Sequence, residues 1–119
     1  MKLNHLSLAV PDVAATATFM EHFFGFETED IKGNNVIAVL RGKDNFILVL
    51  TTLRQGESSY PSDFHFGFIL DTETEVLAKY EQLITGGAEI PRVPSKIRNS
   101  YAFYFHMPGN IMMEVSCNL

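Results

Sequence analysis

The chain has one cysteine, no tryptophan and nine basic residues against fourteen acidic ones in 119 residues. The lone Cys117 excludes an internal disulfide and indicates a reducing compartment, the cytoplasm. The net charge of −5 and the lack of basic runs argue against nucleic acid and anionic membranes as partners. No apolar run approaches the ~18 residues of a membrane span, and the N-terminal one is too short for a signal peptide.

The residues that are present indicate a globular protein. Apolar residues make up 46% of the chain and charged residues 19%, and the length suits a single domain over residues 1–119. Hydrophobic periodicity and turn residues predict a strand, a helix and three strands, and this order occurs twice. The first module covers about residues 1–54 and the second about residues 62–119, with the polar connector RQGESSYPS between them. The predicted fold class is therefore α+β, with two βαβββ modules.

Local signals set the expected element boundaries. Asp12 can cap a helix over residues 13–24 that Gly25 ends, and Thr72 with Glu75 forms a capping box for a helix over residues 73–85. Near the second helix, a short strand is expected at 88–92 and a loop at 94–99. Pro91 and Pro94 confine that strand to an edge or a bulge.

The two modules can be aligned with each other. HLSLAVPDVAATATFMEHFFGFE pairs with HFGFILDTETEVLAKYEQLITGGAE, and NFILVLTTL pairs with NIMMEVSCNL. This alignment places His5 on His65 and Val49 on Glu114. A pseudo-two-fold relation between the modules would bring these four positions into one cleft.

Glu114 is the one carboxylate in an otherwise apolar or small stretch, NIMMEVS. Burying it without a partner would cost several kcal/mol of hydration, so a cation held together with His5 and His65 would account for it. Two imidazoles and a carboxylate suit a divalent Mn, Fe, Co, Ni or Zn ion with open positions for substrate. The alternative is that Glu114 faces solvent from a half-buried strand.

The motifs NHLSLAVPDVAATATFMEHFFGFE, DFHFGF and FYFHMPGNIMMEV, in this order and spacing, resemble the vicinal oxygen chelate superfamily. That superfamily contains glyoxalase I, fosfomycin-resistance and bleomycin-resistance proteins and extradiol dioxygenases. The resemblance covers essentially the whole chain and implies an open, cleft-lining mixed sheet, a homodimer and a divalent metal ion. The family's metal positions correspond to His5, Val49, His65 and Glu114. The turn MPGN departs from the usual Asp-Pro-Asp-Gly before the last strand.

Val49 separates the activities that the resemblance implies. Glyoxalase I has a Glu or Gln there, and valine neither binds metal nor carries a proton, which disfavours that activity. With three ligands remaining, the resemblance implies a metal-dependent enzyme that acts on a small oxygen-chelating substrate. Its chemistry would be that of a lyase or a thiol transferase, like that of fosfomycin-resistance enzymes. The alternatives are a non-catalytic small-molecule binder resembling bleomycin-resistance proteins, or a fold kept for dimerisation alone.

Several residues are candidates for substrate contact. Ser7 lies two residues from His5 and so faces the same way in a strand, although it could equally be a small packing residue. Lys96 and Arg98, with Arg92, bring positive charge into the PRVPSKIRNS loop, where they could receive an anionic group or simply be solvated. The resemblance adds Tyr104, ten residues before Glu114. His106 shares a strand face with Tyr104 and is expected to cap the following turn.

Overall fold

The computed structural model describes residues 1–54 and 60–119, which belong to two compact units, Met1–Ser58 and Ser59–Leu119. We call them unit 1 and unit 2. Most of the predicted connector, residues 55–59, lies outside the described residues. Neither of the two helices in the described part is long and apolar enough to cross a membrane.

Unit 1 consists of a four-stranded mixed sheet and one helix. Strand β1 runs parallel to β4, β3 pairs antiparallel with both β4 and β2, and the sheet order is β1-β4-β3-β2. A short 3-10 turn, Lys43–Asn45, joins β3 to β4. The elements are β1 His5–Val10, α1 Val13–Phe24, β2 Glu27–Lys32, β3 Ile37–Arg41 and β4 Ile47–Thr52.

Unit 2 repeats this plan with the order β5-β8-β7-β6, in which β5 is parallel to β8 and the other pairs are antiparallel. The two units together confirm the predicted α+β class with βαβββ twice. The elements are β5 His65–Ile69, α2 Glu73–Thr85, β6 Ser95–Ile97, β7 Ser100–Met107 and β8 Ile111–Asn118.

Both helices begin and end where the sequence predicts. The Asp12 carboxylate accepts a hydrogen bond from the Ala15 N–H at the start of α1, and Gly25 ends that helix with a left-handed φ of 69°. At α2 the Thr72 hydroxyl accepts from the Glu75 N–H. The Glu75 carboxylate in turn accepts from the Asp71 N–H, one residue earlier than in the standard capping box.

Alternation along the strands gives each sheet a buried face and an open one. In β8 the odd-numbered residues from Ile111 to Cys117 are buried, whereas Met112, Glu114 and Ser116 are only half-buried. The buried side packs against α2, where the rings of Tyr80 and Phe103 lie 5.6 Å apart. Unit 1 follows the same rule, since Leu48 and Leu50 of β4 are buried and face α1. The residues that face away from the helix form the open face of each unit.

The predicted strand at residues 88–92 is wrong. That stretch has no regular structure, and β6 is formed by Ser95–Ile97, within the predicted loop at 94–99. Pro91 and Pro94 have no N–H to donate to a ladder, so pairing with β7 begins only after the second proline. The strand that the structure has instead, β6, is the outermost strand of its sheet.

Candidate functional site

Glu114 lies at the centre of the open face of unit 2. In β8 it stands directly opposite Gly67 of β5 on one side and Tyr104 of β7 on the other. His65 is two residues before Gly67 and therefore points to the same face. Three neighbouring strands thus place His65, Glu114 and Tyr104 on one face, with His65 one row away from the other two.

His65 and Glu114 contact each other. The His65 Nε2 lies 3.7 Å from the Glu114 Oε2, and the two side chains are 39% and 26% exposed. The His65 Nδ1 lies 3.0 Å from the backbone oxygen of Asp63. A carbonyl oxygen can only accept, so this contact assigns the proton to Nδ1 and leaves a lone pair on Nε2 in the neutral ring.

When His65 is neutral, this arrangement sets two acceptors face to face. The Nε2 lone pair and the carboxylate oxygen are separated by 3.7 Å, which is too long for a direct hydrogen bond. Two ligands that are each ~2.1 Å from one metal ion lie within ~4.2 Å of each other, so the separation suits a shared cation. A histidine fixed through Nδ1 by a backbone oxygen is also the usual state of a metal-bound imidazole. The other arrangement that satisfies both groups is a protonated His65 paired with Glu114.

Tyr104 contacts both members of the pair. Its ring meets the His65 ring edge to face at a centroid distance of 5.8 Å. Burial raises the pKa of the Tyr104 phenol, and the charge of Glu114 and a hydrogen bond to that carboxylate raise it further, whereas the charge of Arg98 lowers it. Tyr104 is therefore a neutral donor toward Glu114, and the positive charge of Arg98 is close enough to act on it.

Gly67 leaves the space beside Glu114 free. A Cβ at this position would lie 2.8 Å from the Glu114 backbone oxygen and 3.1 Å from its Cβ. Both distances are shorter than ordinary contacts, so a side chain on Gly67 would push the two strands apart. Glycine at this point lets Glu114 lie close to β5, the strand that carries His65.

Unit 1 has the same register with different residues. Ser7 stands opposite Val49, and Val49 stands opposite Val39, so Ser7, Val49 and Val39 occupy the places of Gly67, Glu114 and Tyr104. His5 lies two residues before Ser7, as His65 does before Gly67. The His5 Nδ1 contacts the Asn4 side-chain oxygen at 2.7 Å, which again leaves Nε2 available.

The structure brings some of the sequence-predicted residues together within unit 2. His65, Glu114 and Tyr104 are adjacent, and Arg98, in the turn between β6 and β7, is close enough to affect Tyr104. Lys96 stands opposite Tyr101, which is opposite the buried Cys117, so Lys96 lies on the face away from Glu114. Its role in substrate contact stays a prediction that this placement does not favour.

Two further points concern residues that the sequence left open. His106 is exposed and lies on the open face, in one row with Met112 and His65. Gly67 was not predicted as a site residue, although a glycine amid phenylalanines in DFHFGF signals a close approach. Within residues 1–54 and 60–119 no three ligand-type side chains are grouped tightly enough to hold a metal ion, so the third ligand remains a proposal.

Comparison with known proteins gives the same picture over the whole chain. A chain described as a possible glyoxalase from Bacillus cereus is 36% identical, with 98% of this chain and 99% of that one covered and a TM-score of 0.87. Lactoylglutathione lyase from Agrobacterium tumefaciens is 18% identical, with 98% and 92% covered and a TM-score of 0.78. A glyoxalase-related enzyme from Fulvimarina pelagi is 20% identical, with 99% and 88% covered and a TM-score of 0.77.

A search of the curated proteins finds no match. The sequence model of one family matches residues 2–115, almost the full length of the chain. The matched segment includes both histidines and the glutamate discussed above. The chain belongs to the Glyoxalase/Bleomycin resistance protein/Dioxygenase superfamily.

Proposed function

We propose that the protein is a metal-dependent enzyme that acts on a small substrate bearing adjacent oxygen atoms. His5, His65 and Glu114 would hold one divalent Mn, Fe, Co, Ni or Zn ion. The observation that carries the proposal is the distance of 3.7 Å between His65 Nε2 and Glu114 Oε2, with Nδ1 of His65 in contact with a backbone oxygen. His5 supports the proposal as well, because its Nδ1 also contacts an oxygen and its Nε2 is left available.

The expected chemistry follows from the three proposed metal ligands and from the lack of a proton carrier at Val49. A bound ion of this kind acts as a Lewis acid and leaves positions open for substrate oxygens. Tyr104 and Arg98 would orient the substrate from β7 and its preceding turn, and Ser7 would do so from β1. Val49 supplies no proton carrier, so addition or elimination of the lyase or thiol-transferase type suits the site better than the proton transfer of glyoxalase I.

Metal analysis tests this proposal directly. Protein purified without chelators is expected to contain about one divalent ion per chain, since neutral imidazoles and a carboxylate bind first-row divalent ions. His65→Ala and Glu114→Gln should each lose that ion, because each removes a ligand, while His22→Gln should retain it. His22 is a suitable control because it lies on α1 and packs against Phe23, with ring centroids 4.5 Å apart.

The outcome that contradicts the proposal is equally definite. If the wild-type protein binds no Mn, Fe, Co, Ni or Zn ion when each is added in excess, the enzyme proposal falls. Loss of ion from His22→Gln as well as from His65→Ala would show that binding is not specific to the site. Circular dichroism of the variants separates loss of a ligand from loss of the fold.

A non-catalytic binder of small molecules is the second candidate. Val39 and Val49 are half-buried on the open face of unit 1 and present hydrocarbon where unit 2 has Tyr104 and Glu114. Such a surface suits a flat or apolar ligand. A metal-free protein that binds a hydrophobic dye, with binding lost in Val49→Asp and kept in His65→Ala, would favour this function.

The assembly is also proposed. Family membership supports a homodimer, and sedimentation of the purified protein measures it. A species of about twice the 13.4 kDa chain mass is expected.

A further inference from the structure

We propose that Tyr104 is a positioning residue that holds the Glu114 carboxylate in its place beside His65. The predicted effect of Tyr104 on ion affinity rests on the proposed function, in which Glu114 is a ligand. The predicted effect of Tyr104 on the position of Glu114 does not depend on any ion. This role of Tyr104 acts through Glu114 and is separate from the substrate contact proposed above.

The register gives the first argument. Tyr104 and Glu114 are directly opposite in an antiparallel pair, so their Cβ atoms are neighbours on the open face. Glu114 is 26% exposed, and its carboxylate would otherwise be free to turn toward water. A phenol on the adjacent strand limits that freedom by donating to the carboxylate, and the direction of the Tyr104 pKa shift agrees with such a bond.

The contact with His65 gives the second argument. The Tyr104 ring meets the imidazole at 5.8 Å with an interplanar angle of 76°, and the same residue stands directly opposite Glu114, so Tyr104 is next to both members of the acceptor pair. The imidazole is then fixed at two points, by the Tyr104 ring and by the Asp63 carbonyl on Nδ1. Partners of this kind fix the orientation of metal ligands and raise affinity.

Unit 1 supplies an internal comparison. Val39 stands at the place of Tyr104, and Val49, which needs no orientation, stands at the place of Glu114. A tyrosine therefore accompanies the carboxylate in the one unit that has a carboxylate at this position.

The experiment compares Tyr104→Phe with Tyr101→Phe. Tyr101 is in the same strand but faces the other side, opposite Cys117, so the control makes the same chemical change away from Glu114. Zn²⁺ affinity of Tyr104→Phe is expected to fall by about 10- to 100-fold, as for other groups that orient a ligand. Tyr101→Phe should bind Zn²⁺ as the wild type does, and circular dichroism should show that both variants keep the fold without metal.

A spectroscopic readout separates positioning from a general structural role. The absorption bands of bound Co²⁺, which report the ligand geometry, should change in Tyr104→Phe and not in Tyr101→Phe.

A crystal structure of metal-free Tyr104→Phe completes the test. Glu114 is expected to leave the neighbourhood of His65 Nε2. The inference is overturned if Glu114 stays there, or if Tyr104→Phe binds Zn²⁺ as tightly as the wild type. If the wild type binds no ion at all, the proposed function fails, and the metal-free structure still decides whether Tyr104 positions Glu114.

Discussion

Gly67 determines how closely Glu114 can approach the strand that carries His65. A Cβ atom on residue 67 would lie only 2.8 Å from the Glu114 backbone oxygen, so no other residue fits there without moving a strand. The alignment of the modules predicted that His65 and Glu114 occupy positions equivalent to His5 and Val49, and the register of the two units agrees. A glycine within DFHFGF signals a close approach, but the sequence could not identify Glu114 as its neighbour, since that depends on which residue of β5 stands opposite Glu114.

Gly67→Ala should therefore weaken both stability and ion binding. The added methyl group forces β5 and β8 apart, at a cost of about 1–3 kcal/mol, and moves Glu114 away from its present position. Chemical denaturation and Zn²⁺ titration measure the two effects. Ser7→Ala is the matched control, because this position of unit 1 already carries a Cβ, and it should leave both quantities near the wild-type values.

The raised pKa of Tyr104 predicts how the stability of the protein depends on pH. Because its pKa is raised in the folded protein, the stability it contributes is complete below the unfolded value of 10.0 and is lost as the pH rises through the folded pKa. Glu114→Gln removes the negative charge, so the pKa of Tyr104 should fall toward 10.0. Ultraviolet titration of tyrosinate, with Tyr104→Phe subtracted to identify the signal, checks this. An unchanged titration in Glu114→Gln would show that Glu114 does not act on the phenol.

At the level of elements, local sequence signals were sufficient to predict the bounds of both helices but not the position of β6. Asp12, Gly25 and Thr72 each determine a helix end through contacts within a few residues, so both helices match their predicted bounds. Strand β6 is three exposed residues that depend on pairing with β7, and nothing in SKI alone indicates a strand. Edge strands of this length are determined by their neighbour rather than by their own sequence.

Thr72→Ala should lower the free energy of unfolding by about 1 kcal/mol, because the Glu75 N–H loses its side-chain acceptor. Thermal or urea denaturation measures this change. Thr74→Ala, an exposed position in the first turn of the same helix, serves as the control. Equal losses in both variants would mean that helix propensity, and not the cap, is responsible.

At the level of the whole molecule, the two units share one register and differ in side chains. Both place a histidine two residues before the position that faces the centre of the last strand, and both histidines have Nδ1 engaged by an oxygen. The alignment of the modules predicted this equivalence. The pairing of Glu114 with His65 lies inside one unit and is a structural finding, whereas the participation of His5 is part of the proposed function.

Val49→Glu tests whether the two units serve one ion. If they do, a carboxylate at this position adds a fourth ligand and Zn²⁺ should bind more tightly than to the wild type. Val39→Glu adds the same charge on the neighbouring strand, at the place that corresponds to Tyr104, and is the control. Equal affinity gains in both variants would indicate simple charge attraction, and no gain in Val49→Glu would speak against a shared ion.

The Ser7, Val49 and Val39 row has a practical consequence for changing what the protein does. Its side chains occupy the places of Gly67, Glu114 and Tyr104 without carrying a carboxylate or a phenol of their own. Randomising these three codons would diversify unit 1 while the side chains of unit 2 stay unchanged, so a laboratory-evolution library for binding new small molecules would best begin there.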